Sequence, residues 1–159
     1  MLRISDPAAS LKFYNDFMGL HTIFVFNTGA WTIYYLGPRD VSIADLGTAQ
    51  GLLELYYIPP KEGEETKKLR NGNETDEHGM GFGHVGFTVP DVKVALERAR
   101  NMGIKVIKPL GDDREETMGV EGLGKGNVEE GYKFVYRQLA FVLDPDVSSV
   151  SFAESYHPL

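Results

Sequence analysis

An internal repeat is the feature that most constrains how this chain folds. The stretch ISDPAASLKFYNDFMGLHTI, residues 4–23, resembles VPDVKVALERARNMGIKVI, residues 89–107. Asp6 matches Asp91, and a Met-Gly pair follows the apolar positions of each segment. A pattern that occurs twice predicts two copies of one structural unit.

Each repeated segment predicts a helix. Asp6 is expected at the N-cap of the first helix, with Pro7 at its first position. Gly19 and Gly103 follow the last apolar residues, where glycine commonly ends a helix. The apolar face is predicted to comprise Leu11, Tyr14, Phe17 and Met18 in the first helix, and Val92, Ala95, Leu96, Ala99 and Met102 in the second.

Short apolar runs around each helix predict strands. They are MLRI, HTIFVF, WTIYYL and LLELYY in the first half, and GHVGFTV, IKVIKP, QLAFVL and SVSFA in the second. Each half then reads strand, helix and three strands, which predicts an α+β fold of two tandem βαβββ modules. The modules are expected at residues 1–57 and 81–159, with a polar linker at 58–80 and a Gly-rich loop insertion at 109–133.

Composition narrows the classes of function. The 159 residues carry 16 Lys and Arg against 23 Asp and Glu, and the net charge of -7 argues against a nucleic-acid partner. The chain has no cysteine, which excludes disulfides and thiolate chemistry. No apolar run approaches the length of a membrane span, and the N-terminus lacks the pattern of a signal peptide. A cytoplasmic location without a membrane partner is therefore predicted.

Two polar residues interrupt strands that are otherwise apolar. His84 shares its strand face with Gly86 and Thr88, and Glu54 lies within LLELYY. Imidazole and carboxylate are a usual ligand pair for a divalent transition metal, and a buried carboxylate needs a partner. From the residues alone, the alternatives are a partly buried, hydrogen-bonded histidine in a central strand and a glutamate on an edge strand.

At the level of motifs, the chain resembles glyoxalase I, the lactoylglutathione lyases of the vicinal oxygen chelate superfamily. The matching segments are MLRISDPAASLKFYNDFMGL, LLELYY, RNGNETDEHGMGFGHVGFTVPDV and LAFVLDPD. The resemblance implies modules that form half-open barrels around a divalent metal of the zinc or nickel class. It also implies a homodimer, and glutathione as co-substrate in the conversion of its hemithioacetal with methylglyoxal.

The resemblance assigns roles to individual residues. Glu54 and His84 match two of the four metal ligands, and Glu54 is also a candidate catalytic base. Arg3 matches an arginine that binds the glutathione carboxylates in the family, and it is therefore a candidate substrate-binding residue.

The match fails at other positions that carry chemistry. The first metal ligand falls upstream of Met1, outside this sequence. Ser151 stands where the family has the glutamate that is both fourth ligand and leading base, and a hydroxyl needs another base beside it to act in its place. Glu154 has the wrong strand parity to substitute unless a bulge intervenes. Ile58 and Met80 replace an asparagine and an arginine of the family's glutathione site.

Three functions are consistent with this pattern, each with a small-molecule ligand. The first is a glyoxalase I-type metal-dependent isomerase or lyase with a degenerate site, and it is the best single description. The second is a divergent enzyme of the superfamily that acts on another, more apolar molecule. The third is a non-catalytic binder. Tyr56, Tyr57, Trp31 and Phe82 either make the pocket more aromatic or belong to the core.

Overall fold

The computed structural model describes residues 1–66, 69, 81–114, 117 and 129–155. The chain divides into two compact units, residues 1–69 and 70–159. Met80 and parts of the predicted linker and Gly-rich insertion lie outside the described residues, and the predicted module bounds stay predictions. None of the helices described is long and apolar enough to cross a membrane.

The first unit is a four-stranded sheet with one helical segment. Its elements are β1 (Leu2–Ile4), α1 (Pro7–Leu11) continued by a π-helix (Lys12–Phe17), β2 (His21–Asn27), β3 (Thr32–Gly37), a 3-10 turn (Ile43–Asp45) and β4 (Leu53–Tyr57). The strand order is β1-β4-β3-β2, with β1 parallel to β4 and the other pairs antiparallel. The predicted order of strand, helix and three strands is confirmed.

The helical segment begins as predicted and then widens. The Asp6 side chain accepts a hydrogen bond from Ala9 N at 3.1 Å, as an N-cap does. From Lys12 the backbone follows a π-helix, and Met18 N donates to Phe13 O at 3.0 Å. The wider turn rotates the apolar face, so Phe13 is buried although the regular helical spacing omitted it. Gly19 ends the segment with φ +78°, as expected.

The core of the first unit lies between this segment and one face of the sheet. The buried residues are Leu2, Ile4, Phe13, Tyr14, Phe17, Leu36, Leu53 and Leu55. Alternation along β4 places Leu53 and Leu55 on the core face and therefore Glu54 and Tyr56 on the other.

In its described residues, the second unit repeats the arrangement and adds one helix. Its elements are β5 (His84–Val89), α2 (Val92–Asn101), β6 (Val106–Lys108), α3 (Glu130–Tyr136), β7 (Ala140–Leu143) and β8 (Ser149–Glu154). The strand order is β5-β8-β7-β6, with β5 parallel to β8. Helix α3 begins inside the stretch predicted as a loop insertion and was missed, because Gly131 and the charges around it obscure the helical pattern.

Helix α2 follows its prediction in most respects. The Asp91 side chain accepts from Val94 N at 3.0 Å, and Gly103 has φ +72° just past the helix end. Val92, Leu96 and Ala99 are buried against the sheet. Met102 was expected on this face but is 38% exposed, because it is the C-cap residue and has left the helical path.

The turn between β7 and β8 holds a strained residue. Val147 has φ +60°, in the left-handed region that β-branched residues rarely adopt. Asp144 Oδ1 accepts hydrogen bonds from Asp146 N at 3.0 Å and Ser148 N at 2.7 Å, and Asp144 N donates to Ser148 O at 3.0 Å. These bonds hold the turn and fix the start of β8, and so the face on which Ser151 lies.

Candidate active site

Glu54 lies in an interior strand of the first unit. It is half-buried on β4, which pairs with β1 on one side and β3 on the other. The alternative of a charge on an edge strand is therefore wrong. Across the register Glu54 pairs with Tyr35, whose ring stacks on Phe24 with centroids 4.4 Å apart. The carboxylate thus stands on a sheet face covered by aromatic side chains.

The Tyr35 hydroxyl is coupled electrostatically to Glu54. Burial raises the pKa of Tyr35 above its ordinary value, and the Glu54 charge and a hydrogen bond to Glu54 raise it further. The phenol therefore stays protonated at neutral pH and donates to the carboxylate. Tyr35 was not singled out from the sequence. Its spacing of two from Ile33 in WTIYYL nevertheless indicated that both residues lie on the same face of the strand.

Arg3 shares this face with Glu54. It pairs with Tyr56 in the β1–β4 register, and its guanidinium carbon lies 4.9 Å from the centroid of the Tyr56 ring. Trp31 stacks on Tyr56 with centroids 5.4 Å apart, so these two residues belong to the site face and not to the core. Phe82 is 56% exposed and is not a core residue either.

His84 has a more open position than the sequence suggested. It is the first residue of β5, which forms an edge of its sheet, and its side chain is exposed. The expectation of a histidine in a central strand is wrong, because β5 is the edge strand in the order β5-β8-β7-β6. The alternative of a partly buried histidine is also wrong, because the side chain is exposed. The imidazole contacts the Phe141 ring edge-on, with centroids 5.3 Å apart.

Ser151 lies on the same face of the second sheet as His84. It is buried and pairs with Gly86 on β5 and Phe141 on β7. A β-carbon on Gly86 would lie 3.2 Å from Ser151 Oγ, which shows that the hydroxyl points over the glycine. Glu154 cannot take its place, since the β5–β8 register runs without a bulge and gives Glu154 the opposite parity.

A buried lysine, Lys108, pairs with Phe141 across the β6–β7 register and was also missed. Lys108 Nζ donates to Leu139 O at 2.5 Å and lies 4.5 Å from the centroid of the Tyr136 ring, which in turn is 5.8 Å from Phe141. Burial lowers the pKa of Lys108, while the charges of Asp112 and Asp113 act in the opposite direction. The segment IKVIKP predicts a lysine on the surface, because lysine is rarely buried. Lys108 is buried only through contacts that form in the tertiary structure.

The metal site that the resemblance implies needs more ligands than either unit brings together among its described residues. Among the described residues, neither unit contains a group of three or more His, Asp or Glu side chains placed to hold an ion. The first unit offers Glu54 and the second offers His84, with only a hydroxyl at Ser151. Structural and catalytic zinc sites use three or four nitrogen, sulfur or carboxylate ligands. The described donors of either unit do not fit such a site, and the metal-ligand roles of Glu54 and His84 stay predictions.

Comparison with known sequences identifies the family. The sequence profile of the Glyoxalase/Bleomycin resistance protein/Dioxygenase superfamily matches residues 1–130. The chain belongs to this glyoxalase superfamily. It is 32% identical over 124 residues to "Glyoxalase I" of Saccharomyces cerevisiae, covering 72% of this chain and 37% of that protein. It is also 32% identical over 121 residues to "Lactoylglutathione lyase" of Pseudomonas aeruginosa, covering 69% and 66%. The chain thus spans between about a third and two thirds of these glyoxalase relatives.

Solved structures confirm the glyoxalase fold. Glyoxalase I from Zea mays superposes with a TM-score of 0.64 at 19% identity, over 98% of this chain and 43% of that one. The trypanothione-dependent glyoxalase I of Leishmania major superposes with a TM-score of 0.61 at 19% identity, over 97% and 83%. The predicted α+β fold of tandem βαβββ modules is therefore confirmed.

Proposed function

We propose that this chain is a glyoxalase I-like lyase that isomerises the hemithioacetal of glutathione and methylglyoxal, with Glu54 as the base. Family membership and relatives called glyoxalase I and lactoylglutathione lyase support the reaction class. The observation that carries the proposal is the position of Glu54, a half-buried carboxylate on an interior strand beside the Tyr35 hydroxyl. The homodimer stays a prediction.

The reaction needs a base that serves two neighbouring carbons. Glu54 takes the proton from the carbon bonded to sulfur, and the electron pair of that C–H bond becomes the C=C bond of an enediolate as the carbonyl oxygen takes the negative charge. Glu54 then returns the proton to the adjacent carbon, and the hydroxyl proton on the sulfur-bearing carbon passes to the charged oxygen. The product is the thioester of a 2-hydroxy acid, without gain or loss of atoms. The aromatic side chains around Glu54 limit the access of water to the intermediate.

The Tyr35 hydroxyl assists this role. The phenol donates a hydrogen bond to the Glu54 carboxylate. The bond restricts the orientation of the Glu54 side chain, which keeps the carboxylate directed along one face of the sheet.

The test is a comparison of thioester formation by the wild type and by Glu54→Gln, with zinc and with nickel supplied. General-base catalysis contributes about a hundredfold or more, so the variant should lose at least that factor. Glu97→Gln is the matched control, because Glu97 is exposed on α2. Equal activity of Glu54→Gln and wild type would contradict the role of Glu54. A wild type without activity would contradict the proposed reaction.

Elemental analysis tests the metal-ligand prediction separately. About one metal per chain in the wild type, lost in His84→Ala, would support His84 as a ligand. A metal-free wild type that still forms the thioester would assign the chemistry to the protein's own groups.

A second function is favoured by Ser151. A hydroxyl lies where the resemblance places the leading base, and Glu154 points away from it. The chain would then bind a small molecule without converting it. Saturable binding of S-methylglutathione by a protein that forms no thioester would support this alternative.

A further inference from the structure

Arg3 is a cation that contacts an aromatic ring and, among the residues that the structure describes, has no carboxylate as an ion-pair partner. Its guanidinium carbon lies 4.9 Å from the centroid of the Tyr56 ring. Within the described part of the chain, no Asp or Glu lies within ion-pair distance of Arg3. A guanidinium whose face rests on an aromatic ring keeps the N–H groups at its edge available for an anion.

The ring under Arg3 belongs to a row of aromatic side chains. Tyr56 stacks on Trp31 with centroids 5.4 Å apart and planes inclined by 27°, and Trp31 meets Phe26 edge-on at 5.4 Å. Trp31 is held by the β2–β3 turn, where its backbone N donates to Thr28 Oγ1 at 3.2 Å. Tyr56 therefore has a neighbour on each side, and this row limits the conformations that Arg3 can adopt.

Arg3 and Tyr56 also line a cavity of about 310 Å³ within the first unit. Ile58, Pro59 and Pro60 form an apolar part of its wall. Its other charged lining groups are Lys61, Glu64 and Glu65. A ligand carboxylate in this cavity would bind an Arg3 side chain that is already ordered by Tyr56. Binding would then avoid the entropy cost of ordering a free arginine side chain.

We propose that Tyr56 and Trp31 are positioning residues that hold Arg3 as the receptor for a ligand carboxylate. The inference rests on the proposed function, in which the carboxylate belongs to glutathione. The resemblance implies only that Arg3 binds the carboxylate. The role of the aromatic row comes from the contacts of Tyr56 and Trp31 in the structure of this chain.

Steady-state kinetics of the hemithioacetal reaction test the positioning role. Tyr56→Leu removes the ring, whereas Tyr56→Phe keeps it. We expect Tyr56→Leu to raise KM about fivefold with kcat unchanged, and Tyr56→Phe to match the wild type, in line with the strength of cation–π contacts. Arg3→Gln should raise KM by about tenfold or more. The double variant should be no worse than Arg3→Gln, because the ring acts only through the arginine.

Binding of S-methylglutathione separates this inference from the proposed reaction. Trp31 is the only tryptophan of the chain, so its fluorescence reports on binding beside Tyr56. If the wild type forms no thioester, the same order of dissociation constants across these variants still supports the positioning role. Equal losses in Tyr56→Phe and Tyr56→Leu would overturn it, as would a fall in kcat without a rise in KM. Absence of S-methylglutathione binding by the wild type would overturn it as well.

Discussion

Ser151 Oγ lies over Gly86, 3.2 Å from the point where a β-carbon on that glycine would stand. The two residues pair across the parallel strands β5 and β8, and His84 lies on the same face at the start of β5. The absence of a side chain at Gly86 leaves space for a longer group at position 151 to extend towards the imidazole.

Replacing Ser151 with Glu should raise the affinity for zinc or nickel. The added carboxylate would stand diagonally across from His84 and supply a second strong donor beside it. Titration calorimetry with each metal measures the change. The gain should disappear in the double variant with His84→Ala. A Ser151→Glu protein whose metal affinity equals that of the wild type would refute our interpretation of this position.

Val147→Gly should stabilise the chain by about 1 kcal/mol. A β-branched residue at φ +60° is strained by roughly 1–2 kcal/mol, and glycine relieves this strain at some cost in unfolded-state entropy. Urea unfolding measures the free energy. Val147→Ala is the control, because it keeps the β-carbon and should gain less. A glycine variant that is no more stable than the alanine variant would show that the turn carries no strain.

The stability contributed by Lys108 should increase with pH. Burial lowers the pKa of Lys108 in the folded chain below its ordinary 10.5. The unfolded chain therefore binds more protons between these two values. The contribution is fully present above 10.5 and is lost as the pH falls through the folded pKa. Urea unfolding at a series of pH values that rises to 10.5 should show the wild type gaining stability relative to Lys108→Met. Lys93→Met, at an exposed site on α2, should show no such trend.

Glu54→Gln should lower the pKa of Tyr35 while leaving it above the ordinary 10.0. Burial is the largest cause of the raised pKa and persists in the variant, whereas the charge of Glu54 does not. NMR titration of tyrosine labelled at Cζ measures the pKa, with Tyr35→Phe to assign the signal. Tyr34 points to the opposite face of β3 and serves as an internal control. An unchanged Tyr35 titration would mean that the carboxylate does not reach the phenol.

Much of the fold could be predicted because local patterns determine it. Asp6 and Asp91 cap their helices, Gly19 and Gly103 end them, and each half forms the predicted strands. These features depend on neighbouring residues in the sequence, where hydrogen-bonding groups and alternation are readable. The π-helix at Lys12–Phe17 was not readable, because a widened turn depends on packing against the sheet.

The candidate site divides in the same way between sequence and tertiary structure. The sequence alone singled out four residues of the candidate site: Glu54, His84, Arg3 and Ser151. A polar residue in an apolar strand, and a match to or departure from a family motif, can both be recognised without the structure. Strand order decided the rest. It placed Glu54 in the interior of one sheet and His84 on the edge of another, and it brought Tyr35 to the carboxylate and Tyr56 under Arg3. Which strands become neighbours depends on the burial of whole faces, a property of the folded chain that no short stretch of sequence contains.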